Sequence, residues 1–168
     1  MAARVERRVL AETRVVFGVE THILEHKTFY DGQIHEIAAN YYVEATDGTV
    51  CYFGEYVEFY ENGQLANTDG TWLAGVDGAR PGVIMPAVPS VGTTYYQENA
   101  PGIAEDMGRV TEVGGTLQSG NTMYTNVLTI MDVNPRENCG EEEPKRYAPG
   151  VGEIVDVTLS VVEVTPAP

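Results

Sequence analysis

The chain reads as an all-β protein, on three observations. Asp31-Gly32, Asp47-Gly48 and Asn62-Gly63 recur at near-even intervals between apolar runs, and Asp-Gly and Asn-Gly supply the positive φ angles that tight hairpins need. The runs between them are rich in Val, Ile, Thr, Tyr and Phe, which suit a pleated, half-buried surface. No stretch sustains a 3.6-residue period, so little helix is expected.

The elements follow in order. Val5 to Val16 is a strand turned by Phe17-Gly18, and Val19 to Tyr30 is a second, ended by Asp31-Gly32. Gln33 to Ala45 is a third and Val50 to Tyr60 a fourth, with Asp47-Gly48 between them; Gln64 to Trp72 follows Asn62-Gly63. Residues 73–92 differ. Pro81, Pro86 and Pro89 exclude a central strand or a helix, and the segment reads as a long loop serving as a lid or a plug. Strands resume at Thr93 to Glu98, at Ala104 to Val113 before Gly114-Gly115, and at Thr122 to Val133. In Glu153 to Val164, apolar Val155, Val157, Leu159 and Val161 alternate with Asp156, Thr158 and Ser160, the period-2 pattern of a strand with one buried face.

So many consecutive strands either close on themselves or split into two sheets. The expectation is closure: one domain over residues 1–168, an antiparallel meander forming a lipocalin-like (calycin) barrel of about 8–10 strands. A barrel of that size holds one small ligand, which makes a ligand-holding lumen the first functional reading, by fold analogy.

Charge narrows the partners. The formal net charge is −15 and the pI near 4.4. A field of that sign repels phosphate backbones and anionic headgroups, so nucleic acid and membrane surfaces are set aside. No apolar stretch approaches the ~20 residues that span a bilayer. Met1 leads straight into polar, strand-like sequence, which implies either a cytoplasmic protein or one whose leader has been removed. Cys51 and Cys139 are too far apart for a zinc motif; they are either one disulfide or two unrelated thiols.

His22-Ile-Leu-Glu25-His26 matches the H-x-x-E-H pattern of one zinc-peptidase class. That chemistry needs helical spacing, and on a strand the two imidazoles lie about 13 Å apart. A two-residue turn at Asp31-Gly32 would instead make His26 and His35 diagonal neighbours, whereas a bulge would turn His35 away. No metal or cofactor is assigned. Tyr41, Tyr42, Tyr52, Phe53, Tyr56, Phe59 and Tyr60 crowd the third and fourth strands, as pocket lining or as core and rim. Glu55, Glu98 and Asp106 fall within or at the start of strand patterns. Facing inward they would have raised pKa values and serve as general acid or base; facing outward they are solvated faces.

The runs Tyr52-Phe53-Gly54-Glu55, Gly70-Thr71-Trp72-Leu73-Ala74-Gly75 and Pro81-Gly82-Val83-Ile84-Met85-Pro86 resemble a family of uncharacterised exported bacterial β-rich proteins. Tyr95-Tyr96-Gln97-Glu98, Ala104-Glu105-Asp106 and Tyr147-Ala148-Pro149-Gly150-Val151-Gly152 fit it too. The resemblance implies export, to the periplasm or outside, and hence the disulfide. It brings no activity with it, though it draws attention to Glu55, Glu98 and Asp106.

Three functions are therefore expected. The first is a binding protein holding a small apolar or aromatic ligand beneath residues 73–92, lined by Tyr41, Tyr42, Phe53, Tyr56, Trp72, Met85 and Tyr147. The second is a lyase, isomerase or hydrolase using Glu55, Glu98 and Asp106. The third is a surface interaction module.

Overall fold

The first four strands form because β-branched and aromatic residues alternate between turns that accept positive φ. In a computed structural model, which describes residues 2–135, 141–157 and 159–165, these are β1 (Ala3–Val16), β2 (Val19–Tyr30), β3 (Gln33–Glu44) and β4 (Val50–Glu61). Both central residues take positive φ at Phe17-Gly18 (52° and 77°), Asp31-Gly32 (49° and 81°) and Asn62-Gly63 (51° and 74°), the type I′ signature of two-residue hairpins. Asp47-Gly48 differs. Glu44 pairs with Val50, leaving residues 45–49 as the loop, and the Asp47 carboxylate accepts the Thr49 N–H at 2.9 Å.

The expected fifth strand splits. β5 (Gln64–Asn67) ends where the Asn67 side chain caps a turn through the Asp69 N–H at 3.0 Å, and the chain resumes as β6 (Trp72–Leu73). The Pro-rich stretch yields one short strand, β7 (Gly82–Met85), bounded by Pro81 and Pro86. Its place on the sheet edge is the one where flanking prolines cost no ladder bonds. The first sheet runs β1-β2-β3-β4-β5, with β6 and β7 also paired to β4.

The second sheet contains β8 (Thr94–Tyr96), β9 (Met107–Ser119), β10 (Thr122–Val133), β11 (Glu142–Ala148), β12 (Gly152–Asp156) and β13 (Leu159–Ser160), in the order β13-β12-β11-β10-β9-β8. β9 does not stop at Gly114-Gly115. It passes through a register shift there, with Gly115 opposite Val127, and turns at Gly120-Asn121. The alternating C-terminal segment is a tight hairpin and not one strand: Asp156 pairs with Leu159, and Val157 takes φ 51°. Val157 is thereby turned out to 38% exposure, while Ile154 and Val155 are both buried.

The chain is all-β and antiparallel, but among the described residues neither sheet closes into a barrel. Closure needs one long last strand to meet the first. Here the free edge of β4 is divided among three short segments, β5, β6 and β7, and β1 remains an open edge. The two sheets belong to two compact units. One holds residues 1–86 and 97–105, the other 87–96 and 106–168.

Two apolar clusters lie in the first unit: Tyr52, Trp72, Ala79, Ala100 and Ala104 in one, Val16, Tyr41, Phe53 and Ala74 in the other. Val127, Ala148 and Ile154 centre a cluster of the second. Residues 73–86, expected as part of a lid, contribute Ala74 and Ala79 to the packed clusters. In this part the segment fills and does not cover.

Candidate functional site

Gly54 determines which side chains meet. Asn40 pairs with Glu55 and Tyr42 with Tyr52, so Phe53 and Gly54 together oppose the single residue Tyr41. This is a β-bulge, and Gly54 takes φ 128° within it. Asn40 and Tyr42 share a face because they are two apart. The bulge therefore brings Glu55 to the face of Tyr52, which regular alternation would forbid. β6 crosses so closely that a Cβ on Gly54 would lie 2.3 Å from the Trp72 carbonyl oxygen.

On that face the Tyr52 ring stacks on Tyr42 at 4.6 Å and meets Trp72 edge-on at 5.3 Å. Its hydroxyl donates to Asn40 Oδ1 at 2.6 Å, and Asn40 Nδ2 donates to the Leu24 carbonyl at 3.2 Å. Burial pushes the Tyr52 phenol well above the usual tyrosine range, and Tyr42 and the charges of Glu55 and Glu98 push it the same way. Both carboxylates thus lie within electrostatic reach of one buried hydroxyl. Trp72 Nε1 and Gln97 Nε2 are buried with no hydrogen-bond partner among the described residues.

The expected lining residues do not form one set. Tyr41 and Phe53 face the cluster on the other side of the sheet, where Arg14 Nη1 donates to the Tyr41 hydroxyl at 2.6 Å. Tyr42 and Trp72 join Tyr52. Tyr56 is 41% exposed, its hydroxyl donating to Glu58 at 3.2 Å. Met85 is half-buried at the end of β7, opposite Val50. Tyr147 lies in the second sheet, between Leu128 and Glu153.

A concave site does exist elsewhere in the first unit. A groove of about 450 Å³ is lined by Tyr30, Asp31, Gln33, Ile34, His35, Tyr60, Glu61 and Asn62. It lies at the tips of the β2–β3 and β4–β5 hairpins, which a meander necessarily places at one end of the sheet. His35 is the extra residue of a bulge, since Phe29 pairs with Ile34 and Thr28 with Glu36. Its imidazole lies 4.9 Å from the Tyr30 ring and 6.1 Å from Phe59. Sequence reasoning missed the groove, although strand order and the two type I′ turns together point to that end.

Across that bulge Thr28 pairs with Glu36 and not with His35. His26 faces Ala38, accepts from Arg7 Nε at 3.2 Å and lies 3.0 Å from Thr28 Oγ1. The H-x-x-E-H segment is strand β2 throughout. Among the described residues no group of three or more His, Cys, Asp or Glu side chains could hold a metal ion. Burial and Asp47 push the Cys51 thiol up; Cys139, and with it the expected disulfide, lies outside the described residues.

Asp106, the third carboxylate, is half-buried in the second unit and bears on a different cluster. Lys145 pairs there with Asp132. Burial alone would lower the Lys145 pKa, but Asp132, Glu153 and Asp156 outweigh it and raise it. The Asp132 carboxyl is raised, by burial first and by Asp106 and Asp156 in addition, against the pull of Lys145. Glu55 and Glu98 thus bear on Tyr52 in the first unit, and Asp106 on Asp132 in the second. Each is half-buried, two beside Tyr52 and one beside Asp132.

Lys145→Met should strand that carboxylate. We expect a loss of about 2–3 kcal/mol at neutral pH. The deficit should shrink as pH falls from above Asp132's raised value towards its ordinary 3.8, because the folded state then holds a proton the unfolded state has released. Urea denaturation of both proteins at neutral and mildly acidic pH checks this; an equal deficit at both would show that Asp132 is not the stranded group.

Within the described residues no helix is long and apolar enough to cross a membrane. Comparison with protein-family models, with curated proteins and with solved structures finds no match to this chain.

Proposed function

We propose that this is an exported small-molecule-binding protein whose ligand sits in the groove at the β2–β3 and β4–β5 hairpin tips. The observation that carries the reading is the groove itself. Its volume, about 450 Å³, falls in the range of small-molecule sites, and Tyr30, His35, Ile34 and Tyr60 supply aromatic and apolar wall. Asp31 and Glu61 on the same lining, in a chain of net charge −15, favour a cationic or neutral planar ligand over an anion. The site replaces a barrel lumen as the binding place, and the resemblance to exported β-rich proteins supports the location.

Titration with an aromatic amine such as phenethylamine, followed by amide NMR shifts, tests the reading. We expect saturable shifts at Tyr30, His35 and Tyr60, little response to phenylacetate, and at least about fivefold weaker binding in His35→Ala, which removes one aromatic wall. No saturation, or equal binding of the anion, overturns it.

A second reading rests on the Tyr52 face. Two carboxylates beside a buried phenol, with orphaned Trp72 and Gln97 N–H groups nearby in sequence to Leu73 and Glu98, form a set capable of acid–base chemistry. It requires a substrate that reaches Glu55 or Glu98. Solvent-accessible carboxyl titration of those two residues, abolished by a bound small molecule, would favour it over the groove.

A further inference from the structure

Among the described residues the outer edge of β1 is the longest unpaired edge of the first sheet. β1 runs for 14 residues, and only Val5, Leu10 and Val16 are shielded even in part. Val9 and Val15 are 57% and 67% exposed. Long edges are usually blunted by shortness, proline, charged side chains or a bulge; β1 is long and has no proline or lysine, and its charges are of both signs. It does have an irregularity between Val9 and Thr13, a usual protective device. Yet Val9 faces Leu24 and Thr13 faces His22, so the insertion is two residues. An even insertion keeps the same alternate backbone groups pointing outward on both halves of the strand.

The side chains of β1 then show what the edge fits. β1 carries Arg4, Arg7, Arg8 and Arg14 against Glu6 and Glu12, a basic strand in a chain of net charge −15. A two-fold axis through an antiparallel pair must pass between a residue and its own copy, so only registers centred on a residue are possible. Centring on Arg8 or Glu12 sets like charges on the axis. Centring on Val9 sets Arg4 against Arg14 and Glu6 against Glu12, and centring on Ala11 sets Arg8 against Arg14. Centring on Leu10 sets Glu6 against Arg14, Arg8 against Glu12, Val5 against Val15 and Leu10 against Leu10. Among these central registers it alone has no like-charge pair, and its oppositely charged and β-branched pairs are the stabilising kinds.

We propose that the chain forms a two-fold dimer by antiparallel pairing of β1 with β1 of a second copy, in the register centred on Leu10. The two first sheets become one continuous sheet, held by inter-strand hydrogen bonds on either side of the irregularity between Val9 and Thr13. Arg8 and Glu12 are the specificity pair. Both are exposed, and on the inner side Arg8 stands opposite Glu25, whereas Arg14 already contacts Tyr41 and Arg4 contacts Glu6.

Sedimentation velocity of the full chain across a concentration series tests this at low salt. The wild type should show a monomer–dimer equilibrium. Arg8→Glu and Glu12→Arg should each weaken it at least about tenfold, because each places like charges opposite one another at two symmetric positions. The double swap R8E/E12R should restore the dimer, and so should an equimolar mixture of the two single variants. Concentration-dependent protection of β1 amides in hydrogen exchange gives a readout that needs no variant. A monomer at every concentration, a dimer indifferent to the single swaps, or failure of both rescues overturns the proposal; the first would leave the edge to a different protein.

Discussion

Gly54→Ala is expected to cost about 2–6 kcal/mol, and to detach β6 from β4. Two penalties coincide. The residue sits at φ 128°, which an L side chain adopts only with strain of about 1–3 kcal/mol. Its Cβ would also lie 2.3 Å from the Trp72 carbonyl and 2.9 Å from the Leu73 Cα, backbone atoms that move only if the strand pairing yields, a further ~1–3 kcal/mol. Gly18→Ala is the control. Gly18 has positive φ, 77°, but nothing within 4 Å of the added carbon, so it should cost only about 1–2 kcal/mol. Urea unfolding of both variants measures the difference. Equal losses would mean that the close approach of β6 contributes nothing.

Trp72→Ala is expected to cost about 3–5 kcal/mol, the range for deleting a buried large aromatic side chain. Trp72 is 3% exposed and packs on Tyr52 among the small residues Ala79, Ala100 and Ala104, which cannot grow to fill the space. Trp72→Phe should cost far less than the alanine variant, since it removes the orphaned indole N–H along with the lost volume. Far-UV circular dichroism should follow the transitions, as Trp72 is the sole tryptophan and fluorescence disappears with it. In the wild type its emission should be blue-shifted, as in an apolar site. A loss below about 1 kcal/mol would place Trp72 in a loosely packed pocket, the role first expected of it.

Much of the fold was legible. The strand boundaries at Val19–Tyr30 and Thr122–Val133 match the reading from turns and β-branched runs residue for residue; at Val19–Tyr30 the two-residue type I′ turns on either side leave no freedom in where the strand begins and ends. Barrel closure was not legible. It depends on whether the last strand of the meander is long enough to meet the first, and the Asn67–Gly70 turn divides that strand by a side-chain cap whose strength rests on local geometry. The C-terminal segment misled for a related reason: its alternation is real, but a hairpin at Val157 interrupts it.

The candidate sites show the same division. The sequence by itself determined an acidic, antiparallel all-β chain, its hairpin tips, and the self-complementary charge order of β1, because each depends on neighbours close along the chain. Only the tertiary structure decided which side chains share a face. One extra residue reverses the alternation of everything beyond it, and two such residues matter here. The bulge at Phe53-Gly54 carries Glu55 to Tyr52, and the bulge at His35 sets Glu36 in place of His35 opposite Thr28. The bulge at Gly54 forms where β6 crosses it, and its partners Trp72 and Leu73 are far away in sequence.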